Sequence, residues 1–149
     1  MRKRVWMSLG TAVIGASLLV TGADRALAHH AFGAEFDANL PVLLKGKIVK
    51  VEWVNPHAWI HVQTTNAEGK AETWMVEGGT PNTLLRRGIT RDTLIIGTDI
   101  VVDGYQSKDK SKRANGRNLT FADGRKLFMG SSGTGAPKDG ADPTEKPKQ

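Results

Sequence analysis

The sequence predicts an all-β domain with one short helix, and three observations lead to that class. Between His29 and Gly130, β-branched and aromatic residues gather in short runs bounded by Gly, Pro, Asn and Asp, the pattern of strands joined by turns. One Thr80-Pro81 start with a Gly88 stop marks a single helix of about two turns among them. The chain has no cysteine, so neither a disulfide framework nor thiolate metal ligands stand in for a packed core.

Strand one is expected over residues 42–54, where Val49, Val51 and Trp53 alternate against Lys50 and Glu52, with a bulge or bend at Gly46. Asn55-Pro56 ends it. Strand two covers 58–64, and the turn Asn66-Ala67-Glu68-Gly69 leads into strand three, 71–77. Gly78-Gly79 releases the chain into the helix, 80–87, whose Leu84 and Leu85 are expected to face one end of the domain. Strand four runs over 98–106 with Ile100 and Val102 on one face. A polar loop, 107–114, leads to an Asn115-Gly116 turn, strand five (117–121), an Asp123-Gly124 turn and a last short strand, 126–129. Three strands, a short helix, then two or three strands is the order of the OB-fold, so the expectation is a small OB-like Greek-key β-barrel of five to six strands.

The ends of the chain read differently. Arg2, Lys3 and Arg4 precede a mostly apolar run, and Ala26 and Ala28 fit an A-x-A cleavage site, so residues 1–28 are a signal peptide by pattern. The protein is therefore expected to be exported, periplasmic or secreted. Cleavage leaves an N-terminal arm (29–41), the barrel (42–130) and a flexible Gly/Pro/Lys-rich tail (131–149). The signal segment carries Arg2, Lys3, Arg4 and Arg25 against Asp24, +3 of the chain's +6, so the mature charge is only +3. A nucleic-acid partner loses most of its compositional support.

The stretches His29-His30-Ala31-Phe32, Val51-Glu52-Trp53-Val54-Asn55-Pro56-His57-Ala58-Trp59, Glu77-Gly78-Gly79-Thr80-Pro81-Asn82 and Asp123-Gly124-Arg125-Lys126-Leu127-Phe128 resemble a family of exported proteins of Gram-negative bacteria, domain of unknown function 6152. The resemblance covers nearly the whole mature domain, His29 to Pro137. It implies export and brings no catalytic residues with it.

Two histidine groups carry the chemistry legible in the residues. Alternation turns His57, Trp59 and His61 to one side of strand two and Ala58, Ile60 and Val62 to the other, which makes the trio the candidate ligand surface for a small molecule or protein partner. Cleavage after Ala28 would put an α-amine beside the imidazole of His29, with His30 next to it. The candidate metal ligands are then His29, His30, His57 and His61, and an all-nitrogen set suits copper. Phe32 and Phe36 read as anchors that bury the arm against the barrel. Lys108, Lys110, Lys112 and Arg113 against Asp109 form a basic loop suited to weak contact with anionic surfaces. No catalytic set is evident, and an enzyme reading rests on the copper site alone. The expected function is an exported binding or accessory module, with a periplasmic copper protein as the alternative.

Overall fold

The computed structural model describes residues 32–130. The signal segment, His29, His30 and the tail 131–149 lie outside the described residues. The fold is a mostly antiparallel sheet of six strands with only short helical elements: β1 (Phe36–Glu52), β2 (Trp59–Thr65), β3 (Ala71–Glu77), helix α1 (Pro81–Arg86), β4 (Asp99–Ser107), β5 (Arg113–Phe121) and β6 (Lys126–Phe128). Neighbours in the sheet run β3-β2-β1-β4-β5-β6, and β5 also pairs in parallel with β3 through Met75↔Arg113, Val76↔Ala114 and Glu77↔Asn115. Residues 32–35 make one helical turn before β1.

Period-two alternation builds the core. Leu44 and Ile48 of β1, Ile60 and Val62 of β2, Val76 of β3, Ile100 and Val102 of β4 and Leu119 and Phe121 of β5 are all buried in one cluster. Leu84, Ile89, Leu94 and Met129 join it.

β1 starts at Phe36, where the sequence reading placed residue 42. Its irregularities are not at Gly46 but between Phe36 and Pro41 against β4 and between Ile48 and Lys50 against β2, where an extra residue turns Val49 outward. Ile48 and Val51 therefore supply the inward positions that Val49 was expected to share. Gly46 has a different role. A Cβ there would run into the Gln63 carbonyl, so the glycine lets the backbones of β1 and β2 approach.

Asn115-Gly116 is strand, not turn. Local turn chemistry is overridden because β5 is paired on both sides, with β3 and β4, and Gly116 sits opposite Gly104. A Cβ on Gly116 would stand 2.7 Å from Val76 Cγ1 and 2.8 Å from Met129 Cε, so close packing, not a turn, requires the glycine. The chain instead reverses between Ser107 and Arg113, where Lys110 takes a φ of 59°.

α1 is as expected in place and capping. Thr80 is the N-cap and its hydroxyl accepts from the Thr83 amide at 3.2 Å, Pro81 opens the helix, and Gly88 leaves it at a φ of 80°. Only half of the leucine expectation survives. Leu84 is fully buried, whereas Leu85 is 50% exposed, because adjacent helical positions diverge by about 100° and so short a helix has one inward side.

Candidate functional site

β2 carries its inward residues Ile60 and Val62 into the core, which places Trp59 and His61 on the opposite face. His57 lies just before the strand. The three residues do line one side, but they do not converge. His57 turns towards the end of β3, with Nδ1 3.2 Å from the Gly78 carbonyl oxygen and 3.3 Å from Glu77 Oε1. His61 turns towards β1, with Nε2 3.6 Å from Glu52 Oε2, and that nitrogen is buried without a hydrogen-bond partner. Trp59 stands between the two histidines.

Carboxylates and one arginine complete the surface. In the β2–β3 ladder Trp59 lies opposite Glu77, and in the β1–β2 ladder it lies opposite Glu52. The Arg113 guanidinium sits over the Trp59 ring at 5.1 Å and is ion-paired with Glu35 of the helical turn. Glu77 is only 6% exposed, and burial pushes its carboxyl above the ordinary glutamate value. His57 and Arg113 oppose that shift, while the Glu35 charge adds to it. Glu52 is held below the usual value, first by its Lys50 contact and also by His61. The result is an indole flanked by two His–Glu pairs and covered by a cation.

The basic loop is less of a free charge cluster than its composition implies. Lys112 is paired with Glu72, Arg113 begins β5 and is held by Glu35, and Lys108 donates to the Gly33 carbonyl. Lys110 is left exposed at the turn. Asp109 at its centre is pushed down to about 2, because the Ser107 hydroxyl and the Ser111 amide and hydroxyl donate to it.

Among the described residues, no group of three or more His, Cys, Asp or Glu side chains converges for a metal ion. His29 and His30 lie outside the described residues. Phe32 and Phe36 do anchor the segment that follows them. They pack with Tyr105 in a small cluster separate from the main core, with ring centroids 5.9 Å apart for the Phe pair and 5.6 Å for Phe32 and Tyr105.

The sequence reading missed Glu77, Glu52, Glu35 and Arg113 as members of this surface. Glu77 had a usable signal. Counting outward from the Asn66–Gly69 turn pairs Thr65 with Ala71 and so Trp59 with Glu77. Arg113 and Glu35 had none, because the parallel β3–β5 pairing and the fold of residues 32–35 that bring them to Trp59 leave no local pattern.

Within those described residues, no helix is long and apolar enough to cross a membrane. No curated protein and no protein of solved structure matches the chain. A family of unknown function, DUF6152, matches residues 16–116, and the chain belongs to that family.

Proposed function

We propose that the chain is an exported binding or accessory module, periplasmic or secreted, built on an OB-like Greek-key barrel. The closing β3–β5 pairing supports the barrel, since it returns the order β3-β2-β1-β4-β5 to its start, with α1 between β3 and β4. The outer face of β2 and β3 is the ligand platform of such barrels. The observation that carries the reading is Trp59, an aromatic ring on that face under the Arg113 guanidinium, with His57–Glu77 and His61–Glu52 on either side. A small organic ligand or a protein partner would use the ring for contact area and the histidines for hydrogen bonds.

The test is a thermal-unfolding screen of the mature protein against periplasmic small molecules, repeated with Trp59→Ala and His57→Ala. A specific ligand at a hundredfold excess over its Kd should stabilise the parent by about 2.7 kcal/mol. Both variants should lose most of that gain. Ligands that stabilise parent and variants alike would move the site elsewhere.

A second reading, a periplasmic copper protein, is favoured by the link between the helical turn and the β2 face. Glu35 reaches Arg113 over Trp59, and His29 precedes Glu35 by six residues, a span of at most about 21 Å of extended chain. The amine and ring of His29 with His30 and with His57 or His61 would then supply nitrogen ligands. Metal analysis and Cu²⁺ titration after natural signal cleavage test this. Loss of affinity in His57→Ala supports a shared site, whereas loss only in His30→Ala means that the peptide end merely scavenges copper.

A further inference from the structure

His61 and Met75 are direct partners in the antiparallel β2–β3 ladder. Their neighbours Ile60, Val62 and Val76 are all buried in the core, so strand parity puts the His61 and Met75 side chains together on the outer face. Side chains opposed in this way start from Cβ atoms about 4.5 to 5.5 Å apart, close enough for both to reach one atom between them. Met75 is half-buried there and lies outside the core cluster, whereas Met129, the other methionine of the described residues, is fully buried within it. Packing of the core therefore calls for Met129 and not for Met75.

His61 carries a second, independent signal. Its Nε2 is buried without a hydrogen-bond partner and stands 3.6 Å from Glu52 Oε2, beyond hydrogen-bond range. A buried ring nitrogen in this state costs free energy, and a bound ion is one of the few things that satisfies it. The Glu52 carboxylate beside it adds negative charge that favours a cation at that nitrogen.

The donors select the ion. An imidazole nitrogen with a thioether sulfur is a soft set, and thioethers favour Cu⁺ over the divalent metals. A divalent ion such as Zn²⁺ asks for three or four protein ligands, and among the described residues no third His, Cys, Asp or Glu converges. A closed-shell monovalent ion is satisfied by two donors. We propose that His61 and Met75 bind a soft monovalent cation, Cu⁺ or its congener Ag⁺, between β2 and β3. Trp59, two residues before His61 on the same face, shields the ion from water. The site rests on the outer face of β2 and β3 being the module's ligand platform, and it differs from the Cu²⁺ reading in needing no residue before Phe32.

Silver nitrate in chloride-free buffer is an air-stable probe, and calorimetric titration of the mature protein with it tests the assignment. Saturable binding is expected, with the Met75 methyl resonance shifting as the ion binds. Met75→Leu keeps the side-chain volume, so it should hold the parent's melting temperature and Cu²⁺ affinity while weakening Ag⁺ binding at least tenfold. His61→Ala should weaken Ag⁺ binding as much, and His30→Ala should leave it unchanged. The proposal is overturned by no saturable silver binding, by a Met75→Leu variant that binds silver like the parent, or by loss of silver binding in His30→Ala alone, which would put the ion on the peptide end. A small molecule whose stabilisation depends on Trp59 would leave the binding-module reading standing in each of those outcomes.

Discussion

Glu77 shows how one residue's position sets its chemistry. Its carboxyl is buried beside His57 and its pKa is raised, so between the ordinary glutamate value and the raised one the folded state holds a proton that the unfolded chain has released. Linkage gives the sign: whatever Glu77 contributes is fully present below the unfolded glutamate value and is lost as pH rises through the raised one. Glu77→Gln, which mimics the protonated form, should therefore match the parent near pH 4 and become increasingly more stable than it towards pH 8, by melting temperature. A constant difference across that range would show that Glu77 is held by pairing and not by burial. Asp109 runs the opposite way. With its pKa depressed to about 2 by the Ser107 and Ser111 donors, its contribution is present above the ordinary aspartate value and is lost as pH falls towards 2. Hydrogen exchange of the Ser111 amide, which donates to Asp109 at 2.9 Å, should speed up in that window and at all pH values in Asp109→Ala. The facing of Trp59 and His61 was legible in the sequence because strand parity is local, while the state of Glu77 was not, because its surroundings come from β2, β5 and the helical turn together.

At the scale of elements, local chemistry was read well wherever it is decided locally. β3 falls on residues 71–77 as expected, and α1 keeps its Thr80 cap, its Pro81 start and its Gly88 stop. Errors arose where a second strand overrules local preference, as at Asn115-Gly116, or where the choice lies between neighbouring side chains, as at Leu84 and Leu85. That choice has a measurable consequence. Leu84→Ala should cost about 2 to 5 kcal/mol, the range for a fully buried leucine, whereas Leu85→Ala should stay within about 0.5 kcal/mol of the parent in denaturant titration. Glycines divide in the same manner. A Cβ on Gly104 would collide with the Asn115 carbonyl, whereas one on Gly33 meets nothing within 4 Å, so Gly104→Ala should be strongly destabilising and Gly33→Ala tolerated. No turn pattern separates them, since the constraint on Gly104 comes from a strand encountered later in the chain.

Across the whole molecule, the described chain has one large apolar cluster inside the sheet and one small cluster, Phe32–Phe36–Tyr105, outside it. The succession of strands along the chain, with the helix between the third and fourth, was legible from its runs and turns. The reach of β1 back to Phe36 was not, because residues 37–40 interrupt its pairing with β4 and break the alternation a reader follows. The two phenylalanines are therefore expected to differ in what they stabilise. Phe36 lies in β1 and pairs with Ser107, so Phe36→Ala should lower global stability by about 3 to 5 kcal/mol, the range for a buried aromatic. Phe32 belongs to the helical turn, which is held by the aromatic cluster, by Glu35 on Arg113 and by the Lys108 contact to Gly33. Such a segment can open without unfolding the sheet. Phe32→Ala should thus accelerate amide exchange at the Lys108 amide, which donates to the Glu35 carbonyl at 2.9 Å, while exchange in β2 and β3 stays slow. Opening would also free Arg113 from Glu35, so the fluorescence of Trp59 beneath it should shift in the same variant. If Phe32→Ala instead speeds exchange equally in every strand, the turn and the sheet fold as one cooperative unit, and the covering of Trp59 is fixed rather than openable.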